Sequence, residues 1–211
     1  MDIFTRDGYI FKFETGCSKE KKESICDLIQ GRIALISDIL GIPIYPYIKK
    51  TTYIIKECEF KRGYFGDSMI ICETNDIANT IEPFVHEECH DIAYRKWGLL
   101  PCFLFEGLSE YVQYIIKFGK AECMDFYYFD LNEATKELIK KSENILHNTD
   151  KHKIPFARQF YFYKAGQSFI CYLYKVLGNE YVDMFLSYFY HDYEIYKKNA
   201  EKYFKEWIDN L

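Results

Sequence analysis

Apolar and polar residues alternate near the start of the chain, and a helical period follows. The alternation over residues 9–14 predicts a β-strand. Apolar residues then recur at helical spacing from Ile25 to Leu40 and predict a long helix. Gly41 and Pro43 are typical of a helix end, so the helix is expected to stop there.

A second strand-forming region follows this helix. Residues 53–60 and 69–72 are rich in β-branched and aromatic side chains, which favour strands. Lys-Arg-Gly at 61–63 predicts a hairpin connection between them. The sequence therefore predicts a small mixed sheet over residues ~42–73.

The remainder of the chain keeps a period of 3.6 residues and predicts helices alone. The fold class is therefore α+β, a single domain over 1–211 with a sheet lobe and one further helix over 1–97 and a mainly helical lobe over 98–211. Residues 117–128 and 148–155 are the most loop-like parts of the second half and are candidates to border a cleft. The predicted helices cover residues 80–97, 103–118, 132–147, 158–177 and 179 to the C-terminus with breaks.

Net charge bears on the expected partners, and cysteine usage bears on the expected location. With 27 basic and 32 acidic residues the net charge is −5, so neither nucleic acid nor a membrane surface is expected as a partner. The eight cysteines are scattered singly, as in a protein with reduced thiols. No signal peptide or transmembrane run is visible, and a cytoplasmic location is the expectation. No feature of the sequence predicts an oligomeric state.

The helix predicted over 80–97 carries an HExxH motif. His86 and His90 lie one turn apart on one face, where two imidazoles can bind one Zn²⁺ ion. Glu87 stands beside them and can accept a proton from a water whose pKa the ion lowers. Cys89 is an alternative ligand at the same face.

Further acidic residues accompany the motif. Glu88 and Asp91 flank the histidines and are expected to face water or a capping partner. A short break then leads into the next helix, which must pack as a neighbour and bring Glu106 and Glu110 beside an apolar stripe. Carboxylates next to a core-facing stripe need a positive partner, which a zinc ion would supply.

HExxH followed by the run EGLSEY at 106–111 resembles the gluzincin class of zinc metallopeptidases, small domains related to the aminopeptidases. The resemblance covers residues ~85–178 and implies a zincin-like fold. It also implies that Glu106 is the third protein ligand and that Glu110 orients a ligand histidine. Direct ligation by Glu110 is the alternative assignment.

The resemblance extends to residues 163–169, which are similar to a tyrosine-containing helix that follows the site in those domains. It implies that Tyr163 donates a hydrogen bond to the developing oxyanion, with Tyr161 as the alternate. A core or surface role for either tyrosine is the other interpretation.

Two departures from the family pattern bear on the activity. Phe105 stands where the aminopeptidases often have asparagine before the ligand glutamate, so support for a histidine must come from elsewhere. The strand over 66–72 lacks the glutamate that captures a substrate's free amine, which favours endopeptidase action. A strand bordering a cleft can still pair with an extended peptide main chain.

These observations predict a zinc-dependent peptidase, an endopeptidase that acts on a peptide or protein substrate. Zn²⁺ is the expected cofactor, held by His86, His90 and Glu106, with Glu87 as general base. Two other hypotheses use the same residues. One is a catalytically inactive zincin-like module that binds a protein partner, and the other is a metal-dependent amidohydrolase acting on a non-peptide substrate.

Overall fold

The chain forms two compact units, Met1–Arg95 and Lys96–Leu211. The computed structural model describes residues 1–43, 51–56, 62–66, 69–73, 84–120, 133–142, 144–154 and 160–210. Strands and helices are both present, which confirms an α+β chain. None of the described helices combines the length and hydropathy that a membrane span requires.

The first unit is built on a five-stranded mixed sheet in the order β1-β2-β3-β5-β4. β1 pairs antiparallel with β2, whereas β2, β3 and β5 run parallel. β4 pairs antiparallel with β5 and forms one edge of the described sheet. The strands are β1 Asp2–Arg6, β2 Tyr9–Glu14, β3 Thr51–Lys56, β4 Arg62–Gly66 and β5 Met69–Glu73.

This sheet corrects two predictions. The hairpin over 61–63 is wrong, because Arg62 and Gly63 begin β4 and the two predicted strands pair in parallel. The sheet also starts at Asp2, well before the predicted residue ~42, because β1 pairs with β2 and β2 pairs with β3. Periodicity shows which residues form strands but carries no information on which strands pair.

Helix α1, Lys19–Leu40, lies against the sheet. The Ser18 hydroxyl accepts from the Lys21 backbone N–H at its start, and Gly41 ends it with φ +68°. The Lys22 ammonium contacts the Asp2 carboxylate at 2.6 Å, which joins α1 to β1. Alternate side chains of β2 and β3 are buried together with one face of α1, as the alternation of polar and apolar residues in β2 predicts.

Helix α2, Phe84–Trp97, carries the histidine motif, and the division between the units falls near its C-terminal end. Its predicted start at Thr80 lies outside the described residues. The second unit contains the other described α-helices. They are α3 Cys102–Phe118, α4 Glu133–Lys140, α5 Phe160–Leu177, α6 Asn179–His191 and α7 Tyr193–Asp209, with a short 3-10 helix at Lys151–Lys153.

α3 and α5 pack at very short range. A Cβ placed on Gly107 would lie 2.5 Å from the Gly166 carbonyl carbon and oxygen, and one on Gly166 would lie 2.7 Å from the Phe103 carbonyl oxygen. The two glycines therefore let the helix backbones touch. This crossing sets Glu106 and Glu110 of α3 opposite the start of α5.

The helix predicted over 132–147 ends at Lys140, so the predicted end is wrong. The Ser142 hydroxyl donates to the Leu138 carbonyl at 2.8 Å, and the Ser142 N–H donates to Ile139 at 3.0 Å. A serine that bonds back to the preceding turn competes with continued helix formation.

Candidate metal centre

The two motif histidines lie one turn apart on α2, as the spacing predicts. Their ring centroids are 4.6 Å apart and their planes are perpendicular, at 89°. His90 is buried and His86 is half-buried. Two imidazoles at this separation can bind a single ion.

Glu88 is buried and contacts α1, so the prediction that it faces water or a capping partner is wrong. Its carboxylate accepts from Arg32 Nε at 2.9 Å and from Arg32 Nη2 at 2.6 Å, and its side chain is 0 % exposed. Burial raises the pKa of Glu88, and the Arg32 charge opposes that rise. Glu88 and Arg32 therefore fix one face of α2 against α1.

Asp91 likewise is buried, so the expectation that it faces water or a capping partner is wrong. It accepts from the Thr51 hydroxyl at 2.9 Å and from Arg95 Nε at 3.0 Å. Burial raises the pKa of Asp91, and Arg95 and Thr51 oppose the rise. The ring centroid of Phe65, on the edge strand β4, lies 6.3 Å from that of His90.

His86, His90 and Glu106 form a group in which one ligand atom from each residue lies within 4.8 Å of the others. Ligand atoms about 2.1 Å from a tetrahedral zinc ion are separated by roughly 3.4 Å, so a group of this size is of the right order for one ion. Two imidazoles and one carboxylate are also the ligand set of catalytic zinc sites with an open position. The residues therefore fit a zinc ion, and metal binding itself stays a prediction.

Glu106 has a positive partner from the protein, Lys151. The Lys151 ammonium donates to Glu106 Oε1 at 2.8 Å and also donates to the Tyr163 hydroxyl oxygen. Burial lowers the pKa of Lys151, but the Glu106 charge and the hydrogen bonds to Glu106 and Tyr163 outweigh it and raise the pKa overall. Lys151 is therefore a cation at neutral pH.

The backbone beside Lys151 is fixed to the start of α3. The Cys102 N–H donates to the Asn148 carbonyl at 2.9 Å, and the Cys102 thiol donates to the Thr149 carbonyl at 3.0 Å. Burial raises the pKa of Cys102 to about 11, with the Glu106 charge adding to the effect, so the thiol keeps its proton. Asp150 caps the 3-10 helix by accepting from the His152 N–H at 3.0 Å.

A partial signal for Lys151 is present in the sequence. The loop-like composition of 148–155 marked this stretch as a candidate border of a cleft, but no motif singled out the lysine. Its contact with Glu106 spans 45 residues of sequence. Periodicity and short motifs describe neighbours along one helix and cannot predict such a pairing.

The other predicted site residues lie on the expected helices. Glu110 accepts from Lys164 Nζ of α5 at 3.0 Å, an ion pair that the sequence did not predict. Glu87 is half-buried on α2, and Tyr161 is half-buried on α5, two residues before Tyr163. Cys89, the alternative ligand, is fully buried and lies outside the group of His86, His90 and Glu106.

Comparison with known proteins adds no relative. No protein-family model matches the chain, and no curated protein matches it.

Proposed function

We propose that this chain is a zinc-dependent peptidase, an endopeptidase that acts on peptide or protein substrates. The group formed by His86, His90 and Glu106 is the observation that carries the proposal. It joins the HExxH motif to the one acidic residue that the gluzincin resemblance assigns as third ligand. Three ligands of this type leave an ion with a position for water.

A zincin-like fold is part of the same proposal. The mixed sheet with an antiparallel edge strand, the helix α1 joined to it, the histidine helix α2 and the helices of the second unit support it. The ligand group is the stronger support, because function depends on the site and not on the fold alone.

The chemistry follows from the residues around the group. When bound, the ion polarises the scissile carbonyl and lowers the pKa of water toward about 7. Glu87 accepts a proton from the attacking water on a carboxylate oxygen and passes it to the leaving amine nitrogen. The Tyr163 hydroxyl donates a hydrogen bond to the oxygen that gains negative charge, and its contact with Lys151 strengthens it as a donor.

The edge strand β4 supports an extended peptide as substrate. β4 lies at the edge of the described sheet, and its Phe65 ring contacts the rings of His90 and Tyr94 at 6.3 and 6.1 Å. An edge strand offers main-chain hydrogen bonds with little selectivity for side chains. The strand predicted over 66–72 is not the edge strand, because β5 pairs with both β3 and β4 and leaves β4 at the edge. The run 66–72 lacks an amine-binding glutamate, and by the family resemblance this favours cleavage within a chain.

A second candidate function has one specific observation in its favour. Lys151 already neutralises Glu106 with its own ammonium. A protein that had given up the metal could keep its carboxylate buried by such an ion pair. The second candidate is therefore a zincin-like module that binds a protein partner without cleaving it.

Metal content and cleavage of an unstructured protein test these candidates. Purified protein is expected to hold one zinc per chain by elemental analysis and to cleave casein, with loss of cleavage in chelator and recovery with zinc. Glu87→Gln is expected to keep the zinc and lose about 10²–10⁴-fold in turnover, since a positioned general base contributes that much. Glu180→Gln, an exposed residue of α6, is the matched control and keeps full activity.

The outcomes separate the hypotheses. Zinc with full turnover in Glu87→Gln contradicts the assignment of the base. Casein binding without zinc and without cleavage supports the binding module. Zinc-dependent hydrolysis confined to small non-peptide amides supports the amidohydrolase.

A further inference from the structure

A divalent cation bound by the candidate group would share one partner with Lys151, the Glu106 carboxylate. The Lys151 ammonium lies 2.8 Å from Oε1, while Glu106 also belongs to the group with His86 and His90. The Glu106 side chain is 13 % exposed and that of Lys151 is 32 % exposed, so water screens their attraction only in part. The Lys151 ammonium therefore partly neutralises the carboxylate of Glu106, a candidate metal ligand, at hydrogen-bond distance.

The chain holds Lys151 in this place by its backbone. Two hydrogen bonds from Cys102 fix residues 148 and 149 to the first turn of α3, one turn before Glu106. Asp150 then caps the turn that begins at Lys151. These hydrogen bonds hold the backbone just before Lys151 close to the start of α3, which keeps the ammonium within reach of Glu106.

We propose that Lys151 is a built-in cationic competitor that weakens the hold of the site on divalent metal. A metal that takes Glu106 must either displace the ammonium from Oε1 or bind with a positive charge beside it. The ammonium opposes the metal in both arrangements, since like charges repel and the ion pair with Glu106 is lost or weakened. This inference rests on the proposed function, and it makes metal loading depend on the supply of zinc.

Zinc affinity measured by competition with a chromophoric chelator at pH 7.5 tests the proposal. Lys151→Met removes the charge and keeps the aliphatic stem, so zinc is expected to bind about 3- to 10-fold more tightly than to the unchanged protein. Lys151→Arg keeps a cation and is expected to retain the weaker affinity. Lys136→Met is the matched control, since Lys136 pairs with Glu133 at 3.1 Å on α4.

Different results overturn different parts. Zinc affinity that is unchanged or lower in Lys151→Met overturns the competitor role. A lysine that orients Glu106 for the metal would give the lower affinity. The proposed function stands in either case, because zinc still binds. Zinc bound by Lys151→Met but not by the unchanged protein supports the competitor role. No zinc bound by any of the proteins overturns both this inference and the proposed function.

Discussion

Four glutamates on α2 and α3 differ in the partners that neutralise them. Glu88 is held by Arg32 in the interior, and Glu110 and Glu106 are held by Lys164 and Lys151. Glu87 makes no hydrogen bond or ion pair with any residue that the structure describes. A base must be able to take up a proton, and a carboxylate committed to a guanidinium is poorly suited to that. The contacts therefore favour Glu87 over its neighbour Glu88 as the base.

A histidine outside the motif is expected to make stability depend on pH. Burial lowers the pKa of His147, with Glu201 opposing the effect, and its Nδ1 lies 3.0 Å from the Tyr193 hydroxyl. The unfolded chain then binds the proton more tightly, so stability is lost as pH falls from about 6.5 through the lower folded pKa. His147→Gln removes this loss.

Urea unfolding of both proteins in chelator, at pH 7.5 and pH 5.5, measures the effect. The unchanged protein is expected to lose more free energy of unfolding between the two pH values than His147→Gln does. Equal losses in the two proteins contradict the prediction. The comparison within each protein removes any difference that the substitution causes at pH 7.5.

The surroundings of individual residues were predictable where both members of a pair lie on the same helix. The spacing of His86 and His90 predicted that both rings project from one face of α2, and the ring centroids lie 4.6 Å apart. Solvent exposure of Glu88 was predicted wrongly, since Arg32 lies 56 residues away in sequence. Charged residues next to a motif look like a solvated face until the covering helix is known.

At the scale of elements, the crossing of α3 and α5 determines which side chains lie near Glu106, the candidate metal ligand on α3. Gly107 lies directly after Glu106, and Gly166 lies three residues after Tyr163. Their backbones approach so closely that a methyl group has no room on either. The contact therefore controls the spacing between the side chains of the two helices.

Gly107→Ala is expected to destabilise the protein by about 2 kcal/mol or more. Its Cβ would lie 2.5 Å from the Gly166 backbone, and overpacking against backbone outweighs the roughly 1 kcal/mol of better helix propensity. Gly31→Ala in α1 is the matched control, since nothing lies within 4 Å of its Cβ. That variant is expected to gain about 0.5–1 kcal/mol.

Chemical denaturation at one pH, with the free energy of unfolding as readout, measures both variants. A gain in stability in Gly107→Ala, equal to that in Gly31→Ala, would show that the helices are not in contact at that point. A change of opposite sign in the two variants supports the close crossing.

The presence of helices and strands was more predictable than the way in which the strands pair. β2 matches its predicted bounds because strict alternation marks a half-buried strand. β1 was missed, because Thr5 and Arg6 next to Asp7 and Gly8 look like part of a turn. The parallel pairing of β3 with β5 depends on contacts between segments, and no local signal encodes it.

At the scale of the whole molecule, a metal held by residues from two helices is linked to folding. Residues 86 and 106 are separated by 20 positions, and the unfolded chain does not hold them together. A ligand that binds the folded chain more tightly than the unfolded chain stabilises it by mass action. The net charge of −5 adds a mild general attraction for cations, which a test must separate from a specific site.

Zinc at 100 times its dissociation constant is expected to stabilise the chain by about 2.7 kcal/mol and raise Tm by roughly 5–10 °C. Calorimetry on chelator-treated protein, with and without added zinc, measures this shift. Mg²⁺ prefers oxygen ligands and is expected to give little or no shift, which controls for general attraction to the acidic chain. His86→Gln removes one imidazole and is expected to abolish most of the zinc effect. An equal rise with both ions, or a zinc effect retained in His86→Gln, would show that the stabilisation comes from elsewhere on the surface.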